Sequence, residues 1–195
     1  GTTYCLSTAT AAAGTIMDSV TFATKAYANS GAKQYIDNSN IIINAEANGL
    51  LPFSIKLGST DASDNTRFLK IFIDYNNNGV FDDTETVLSS AALKNGIYSG
   101  VINFPESLVV GRITKLRIVV TETDASANVK ACGNYTSGET QDYTLKVINS
   151  SVDLQVSEIV NPTAGLAKRD NQFITAKIVN LGSTAQTNIP LSLLV

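Results

Sequence analysis

Short runs of β-branched, aromatic and aliphatic residues recur along most of the chain, separated by clusters of Gly, Asn, Asp and Ser. Many short strands divided by turn signals are typical of a β-sandwich or a barrel. No helical periodicity of useful length competes with this pattern. We therefore predict an all-β, jelly-roll-like β-sandwich, with strands near Thr15–Thr24, Lys33–Ile36, Ile41–Asn44, Leu51–Leu57, Phe68–Asp74, Thr86–Ser89, Ile97–Phe104, Lys115–Thr121 and Tyr143–Ile148.

One polar segment, residues 74–85, fits the calcium-loop pattern D-x-[DN]-x-[DN]-G-x5-E at every specified position. Ca²⁺ takes about six to eight oxygen ligands, and the pattern supplies side-chain oxygens, one backbone carbonyl and a glycine for the sharp turn. The alternative is a metal-free turn, because Asn, Asp and Gly favour turns in any case. The predicted calcium ligands are Asp74, Asn76, Asn78, Val80, Asp82 and Glu85.

The flanks of this loop decide what an ion there would do. The aromatic and aliphatic run before it and Thr86–Ser89 after it both predict strands. Calcium sensors act by reorienting two helices, which this sequence lacks. The pattern therefore predicts an EF-hand-like loop between two strands, with Ca²⁺ in a structural role.

A polar break at Asn149–Ser151 is followed by a new alternating pattern. We predict one domain over residues 1–149 and a partial β module over residues 150–195, with strands at Val152–Val160, Gln172–Asn180 and Ile189–Val195. A complete sandwich needs about seven strands and about 100 residues. We expect this module to continue beyond Val195; the alternatives are that the first domain or another chain covers its apolar face.

Composition excludes several classes of function. The chain has 195 residues, a net charge of −3 and no histidine. These values give no basic patch for nucleic acid, and they exclude Ser-His-Asp, Cys-His and H-E-x-x-H catalysis within this chain. No apolar run predicts membrane insertion. Glycosidase chemistry by paired carboxylates stays open, although the calcium loop takes up most of the clustered carboxylates.

The two cysteines, Cys5 and Cys132, are too far apart in sequence for a C-x-x-C motif. In an exported protein they would form a disulfide bond that closes a long loop. The alternative is a pair of buried free thiols.

Two segments together resemble the GEVED domain, a β-rich accessory domain of secreted Bacteroidetes proteins. One is the strand and loop from Ile71 to Glu85, and the other runs from Ala131 to Thr144 and contains Gly-Glu-Thr-Gln-Asp-Tyr-Thr where the family has Gly-Glu-Val-Glu-Asp-Tyr-Thr. Thr140 and Gln141 replace the family's Val and second Glu. The resemblance covers about residues 4–148, and the tail from Asp153 resembles the start of a CARDB-type, immunoglobulin-like module.

The resemblance implies an accessory unit of a large secreted or cell-surface protein, such as a peptidase, another hydrolase or an adhesin, often exported by the type IX route. Glu139 and Asp142 are expected in a loop before the last strand. There they would bind a second cation, pair with Arg117 or remain in a solvated structural loop.

Two functions follow as hypotheses. The first is a non-catalytic, calcium-stabilised module that serves for spacing, adhesion or targeting, with the rest of a multidomain chain and a glycan or cell-surface protein as partners. The second is a calcium-dependent carbohydrate-binding module that directs a parent hydrolase or peptidase to its substrate. Asp61, Asp64 and Asn65 are expected to form only a surface turn, and the seven tyrosines to serve mainly in packing.

Overall fold

A computed structural model describes residues 3–28, 33–149, 152–161, 173–182 and 184–192. The chain divides into two compact units, Gly1–Ile148 and Asn149–Val195. Within the described residues there is no α-helix, only short 3-10 turns at Asp83–Glu85 and Ser126–Asn128. None of the helical segments in this part of the chain is long and apolar enough to cross a membrane.

The first unit consists of eleven strands. They are β1 (Ser7–Ala9), β2 (Thr15–Phe22), β3 (Lys25–Ala28), β4 (Tyr35–Glu46), β5 (Leu50–Ser59), β6 (Arg67–Ile73), β7 (Thr86–Ser89), β8 (Gly96–Asn103), β9 (Ile113–Glu122), β10 (Gly133–Tyr135) and β11 (Gly138–Ile148).

Most of these strands form two sheets. A five-stranded sheet has the order β4-β11-β9-β6-β7, and a four-stranded sheet has the order β3-β2-β5-β8. Neighbours in both sheets are antiparallel, except that β4 runs parallel to β11. A small parallel pair, β1 with β10, completes the unit. The parallel β4–β11 pair is a departure from the antiparallel pairing of the predicted jelly-roll.

The core lies between the two sheets because successive side chains of a strand point to opposite faces. In the four-stranded sheet, β5 buries Leu51, Phe53, Ile55 and Leu57. From the five-stranded sheet, alternate residues of β6, β9 and β11 complete the same cluster, including Leu69, Ile71, Ile73, Leu116, Ile118, Val120, Tyr143, Leu145 and Val147. The all-β prediction is confirmed, and the two sheets around one core are those of a β-sandwich.

The outer face of the five-stranded sheet carries a second, smaller cluster. Phe72 and Val119 are buried there beneath Val129 and Ala131 of the segment before β10. This segment and the N-terminal strand β1 form a covering strap over the sheet, joined to each other by the β1–β10 pairing. Polar side chains of the outer face are thereby buried as well.

Most predicted strands are present, with some differences. The predicted runs Lys33–Ile36 and Ile41–Asn44 fall on the single strand β4, which begins only at Tyr35 and remains continuous through a bulge. The predicted run Thr15–Thr24 extends too far, because the chain turns at Ala23 and returns as β3.

The second unit contains two antiparallel strands, β12 (Leu154–Asn161) and β13 (Thr175–Asn180). The predicted third strand at Ile189–Val195 is wrong for residues 189–192, which have no strand pairing, and residues 193–195 lie outside the described residues. The amide of Gly182 donates to Asn180 Oδ1 at 2.9 Å, as expected for a turn.

Candidate functional site

The predicted calcium loop begins where β6 ends, and Asp74 is its anchor. The backbone amide of Asp74 donates to the Lys115 carbonyl at 3.2 Å, and its carbonyl accepts from Thr114 Oγ1 at 2.6 Å. These bonds hold the first loop residue against β9. The side chain of Asp74 is fully buried, so its carboxylate lies inside the loop and not in solvent.

The Asp74 carboxylate organises the following turn. Oδ1 accepts from the amide of Asn78 at 3.1 Å, and Oδ2 accepts from the amide of Gly79 at 2.9 Å. Gly79 has φ of 86°, a left-handed conformation that glycine adopts without steric cost. Oδ2 also accepts from the hydroxyl of Tyr4 at 2.7 Å. Burial raises the pKa of Tyr4 to about 12, and the neighbouring Asp74 charge adds to this shift.

The two asparagines bend the loop in the same manner. Oδ1 of Asn76 accepts from the Asn78 amide at 2.9 Å, and Oδ1 of Asn78 accepts from the Val80 amide at 2.8 Å. Their amide nitrogens both approach Asp82 Oδ2, at 3.1 and 3.4 Å. The side-chain amides of both asparagines are therefore oriented with nitrogen toward the Asp82 carboxylate. Rotating either amide by 180° would point its oxygen toward that carboxylate instead.

Glu85 closes the loop from its far end. Its Oε1 accepts from the amide of Asn76 at 3.2 Å, and its Oε2 accepts from the amide of Asp82 at 3.0 Å. The latter bond belongs to a capping box around the 3-10 turn. The side chain of Glu85 is buried, so both its oxygens face the loop interior.

The structure thus brings five of the six predicted ligands into one hydrogen-bonded network through their side chains: Asp74, Asn76, Asn78, Asp82 and Glu85. Val80 joins this network through its backbone amide, and its side chain is exposed. This oxygen-rich donor set fits the chemistry that Ca²⁺ requires. Among the described residues, however, no three His, Cys, Asp or Glu side chains form a group that could hold a metal ion. Calcium binding stays a prediction.

A second polar cluster lies on the outer face of the five-stranded sheet. Asp142 of β11 stands directly opposite Arg117 of β9, and the two make a bidentate pair at 2.7 and 2.8 Å. Lys115 Nζ and the hydroxyl of Tyr35 also donate to Asp142 Oδ2, at 2.9 and 3.1 Å. Asp142 is fully buried and Arg117 nearly so. Burial, together with the negative charge of Asp142, raises the pKa of Tyr35.

Arg117 also holds the covering strap in place. Its Nη1 donates to the carbonyl of Cys5 at 3.0 Å and to the carbonyl of Ala131 at 2.7 Å. Cys5 and Cys132 form the predicted disulfide bond, with Cα atoms 5.6 Å apart. The disulfide prediction is confirmed, and the alternative of two free thiols is wrong. The Arg117 guanidinium therefore links the buried Asp142 carboxylate to backbone carbonyls at Cys5 and next to Cys132.

Aromatic rings connect the two polar clusters. Phe81 of the calcium loop lies with its ring centroid 5.0 Å from the Arg117 guanidinium. The Tyr4 ring lies 5.3 Å from the Phe81 ring, and Lys115 Nζ lies 5.0 Å from the centroid of Tyr4. The loop, the strap and the ion pair therefore share contacts within one continuous cluster.

Glu139 and Asp142 do not lie in a loop, so that prediction is wrong: both belong to β11 and both are fully buried. Glu139 accepts from Gln141 Nε2 at 2.5 Å and from the backbone amide of Met17 at 3.3 Å, and Met17 belongs to the opposite sheet. Gln141, the residue that replaces the family's second Glu, also accepts from Tyr143 and from Asn38. A second cation at either carboxylate would have to displace these donors.

Sequence reasoning missed Tyr4, Tyr35 and Lys115 as members of the site. Lys115 carried a usable signal, because residues two apart in a strand share a face with each other and hence with Arg117. Tyr35 reaches Asp142 only through the parallel pairing of β4 with β11, which no local pattern indicates. Arg67 was also missed; it is fully buried and donates to the carbonyls of Asn65 and Gly58 at 3.0 Å.

The acidic cluster near the start of β6 forms a surface turn, as the sequence indicated. Asp61 accepts from the amide of Ser63 at 3.0 Å, and Asp64 accepts from the amide of Asn95 at 2.6 Å. Asn65 Nδ2 donates to Glu122 at 2.9 Å. These bonds fix the turn and account for its polar residues without a ligand.

A family model described as the GEVED domain matches residues 68–146. This interval contains the whole calcium-loop segment, Arg117, Cys132 and the motif strand up to Lys146. The predicted resemblance is confirmed for this part of the chain. No curated protein matches the chain.

Proposed function

We propose, from the GEVED domain that residues 68–146 match, that this chain is a non-catalytic accessory module of a larger secreted or cell-surface bacterial protein. The observation that carries the proposal is the use of the motif carboxylates. Asp142 is saturated by Arg117, Lys115 and Tyr35, and Glu139 is bonded within the sandwich. Groups held in this way support architecture and are not free to transfer protons to a substrate.

Calcium is the proposed stabilising ion of the β6–β7 loop. The ion would be held by the side-chain oxygens of Asp74, Asn76, Asn78, Asp82 and Glu85, with the backbone carbonyl of Val80 as a further ligand. Three carboxylates around one loop repel each other, and a divalent cation would relieve that repulsion. Because Asp74 binds Tyr4 and Phe81 touches Arg117, a stabilised loop would also stabilise the strap.

Calorimetry on the full chain, first stripped with chelator, tests the calcium proposal. We expect one Ca²⁺ per chain with a dissociation constant of about 10⁻⁴–10⁻³ M, the range of extracellular modules. A hundredfold excess over that constant would stabilise the folded state by about 2.7 kcal/mol. Glu85→Gln should abolish the effect, while the control Asp83→Asn, in the same turn but outside the ligand pattern, should retain it. Absence of calcium binding to the folded wild-type chain would contradict the proposal.

Secretion is proposed on the confirmed disulfide, because such bonds persist in oxidising compartments. Export from a Bacteroidetes cell by the type IX route is the specific form of this proposal that the GEVED resemblance supports. Catalysis is tested directly: turnover of a peptide or glycan by the purified chain, lost on substitution of one carboxylate, would contradict an accessory role.

The second unit is proposed to be part of an immunoglobulin-like, CARDB-type module. Val156, Ile159 and Ile178 of its two strands line an apolar cavity of about 550 Å³ with Ile174 and Leu191. Ile159 is 58% exposed, so this apolar face is not covered by the described residues. If the unit folds independently, Ile159→Ser should leave the melting transition of the first unit unchanged; a lower melting temperature of that transition would contradict this view.

A further inference from the structure

A cleft is lined by residues of β3 and β4, each an edge strand of its own sheet, together with two residues of β11. Its volume is about 460 Å³, within the usual range of small-ligand sites. The side chains that matter for its chemistry are Tyr27, Lys33, Asp37, Asn38, Asn40 and Tyr143. Neither the motif contacts of Asp142 nor the calcium loop involves this cleft.

A bulge in β4 builds one wall of the cleft. The register with β11 jumps from Asn38 opposite Tyr143 to Ile42 opposite Thr144, so that three residues of β4 have no partner. The Asp37 side chain accepts from the amide of Ser39 at 3.0 Å, which fixes the entry to this bulge. Bulges at sheet edges re-aim side chains and are common next to binding sites. Here the bulge places Asn40 and Ile41 in the wall.

The wall offers polar groups that nothing else in the described chain uses. The hydroxyl of Tyr27, the ammonium of Lys33 and the amide of Asn40 make no hydrogen bond with any described residue. Asp37 accepts from Ser39 through Oδ1 only, which leaves Oδ2 available. Its hydrogen bonds with Ser39 lower the pKa of Asp37, so it is an acceptor at neutral pH. Lys33 and Asp37 carry opposite charges, and Lys25 beside Tyr27 adds a second cation.

The floor of the cleft is aromatic. The rings of Tyr27 and Tyr143 lie 6.1 Å apart between centroids and are tilted by 57°. Lys25 Nζ lies 5.3 Å from the centroid of Tyr27, in a cation–π contact with this ring. Tyr143 is fully buried, whereas Tyr27 is partly exposed. Tyr143 therefore supports the cleft from within, and the surface open to a ligand combines the ring of Tyr27 with amide, hydroxyl and charged hydrogen-bonding groups.

We infer that this cleft binds a neutral hexose unit of a glycan, with the C–H face of the sugar against Tyr27 and its hydroxyl groups bonded to Asp37, Lys33 and Asn40. An anionic ligand would meet the carboxylate of Asp37, and an apolar ligand would leave these polar groups unsatisfied. An added peptide strand is disfavoured because the bulge interrupts the edge of β4.

Sugar binding at this cleft is independent of the proposed calcium site. The five-stranded sheet has β4 at one edge, whereas β6 and β7, which flank the calcium loop, lie at the other. Sugar binding at this cleft would add a ligand to the proposed accessory role. Either the sugar binding or the accessory role can be refuted without refuting the other. Chelation should therefore leave sugar binding intact, unlike in a module whose calcium contacts the glycan.

The test is an NMR titration of the full chain with maltose, cellobiose and lactose, with and without chelator. We expect a dissociation constant in the millimolar range and amide shifts confined to β3, β4 and the start of β11. Asn40→Ala should weaken binding about fivefold to tenfold, because it removes hydrogen bonds between the neutral amide and the sugar hydroxyl groups. Tyr27→Ala should abolish it and Tyr27→Phe should retain most of it. The control Asn103→Ala, an exposed amide on the far edge strand β8, should have no effect.

Several results would overturn the inference. These are no shifts with any of the three sugars, shifts that map elsewhere, or binding that Asn40→Ala leaves unchanged in a folded variant. Binding lost on chelation would assign the sugar to the calcium loop, and the proposed function would then stand while this inference fails. Binding of oligogalacturonate alone, or of a short valine–threonine peptide along β4 alone, would replace it with an anionic ligand or with strand addition.

Discussion

Replacing Asp142 with Asn should strongly destabilise the first unit. Asn keeps the shape of the side chain and one oxygen, but it removes the negative charge that faces Arg117 and Lys115. Arg117 is only 2% exposed at its side chain, so water cannot replace the lost partner. The buried Arg117 and the partly exposed Lys115 would then face each other with no carboxylate between them.

The magnitude follows from the burial of the pair. Removing one partner of a buried ion pair costs about 3–5 kcal/mol, because the other charge stays desolvated. For a domain of this size, each kcal/mol lowers the melting temperature by about 2–4 °C, so the expected loss is about 6–20 °C. The matched control is Asp18→Asn, whose Lys56 partner is 3.3 Å away and 58% exposed. An exposed pair contributes about 1 kcal/mol at most.

Urea denaturation followed by circular dichroism, with calorimetry in parallel, measures both variants. The variant should unfold at a lower urea concentration with an unchanged slope, since the folded structure is otherwise retained. If Asp142→Asn loses no more stability than Asp18→Asn, then Arg117 is not the desolvated cation that its burial implies, and the architectural role of the motif strand is refuted.

Three further predictions concern the disulfide, the motif glycine and the tyrosines. Reduction of the disulfide, which spans 127 residues, should cost about 4–5 kcal/mol in the chain-entropy model and lower the melting temperature, as calorimetry with and without reductant will show. Gly138→Ala should destabilise the first unit far more than Gly96→Ala, as urea titrations will show. Both glycines have positive φ, but only at Gly138 would an added Cβ lie 2.1 Å from the Val120 carbonyl oxygen. Stability should fall between about pH 10 and pH 12 in thermal melts. Burial raises the pKa of Tyr4 and of Tyr75 to about 12 in the folded state, so both ionise first in the unfolded chain. The folded state then holds more protons than the unfolded state, and stability decreases as the pH rises. Tyr75→Phe should flatten that decline, and an unchanged slope would contradict the assignment.

The sequence was a good guide to the strands that face the core. In β6, β9 and β11, aliphatic residues alternate or run together, so burial and extended structure leave the same mark. The two-residue turn between β2 and β3 has no such signal in the sequence. Its first residue, Ala23, has φ of 51°, a conformation usually signalled by Gly or Asn. The predicted strand therefore ran through the turn, and β3 was missed.

The shortest strands and the buried polar residues were beyond local reasoning. β1 and β10 have three residues each, and they pair across a distance in sequence that the Cys5–Cys132 disulfide spans. The sequence predicts a loop at Glu139 and Asp142, whereas both are buried in β11, where charged residues are rare. Their partners, Met17 and Arg117, come from strands far away in sequence. Only the pairing of the sheets brings these groups together.

The polar motif on β11 is explained by the two faces of a strand. Successive side chains point to opposite sides, so Glu139 and Asp142 face different layers of the molecule. Glu139 accepts from Met17 of the opposite sheet, and Asp142 holds Arg117, which in turn binds the carbonyls beside both cysteines. One strand thereby ties the sandwich internally and fastens the strap outside it. Because both carboxylates are bonded to groups of the protein itself, they are not available to a ligand. A ligand site is therefore more consistent with the edges of the sheets.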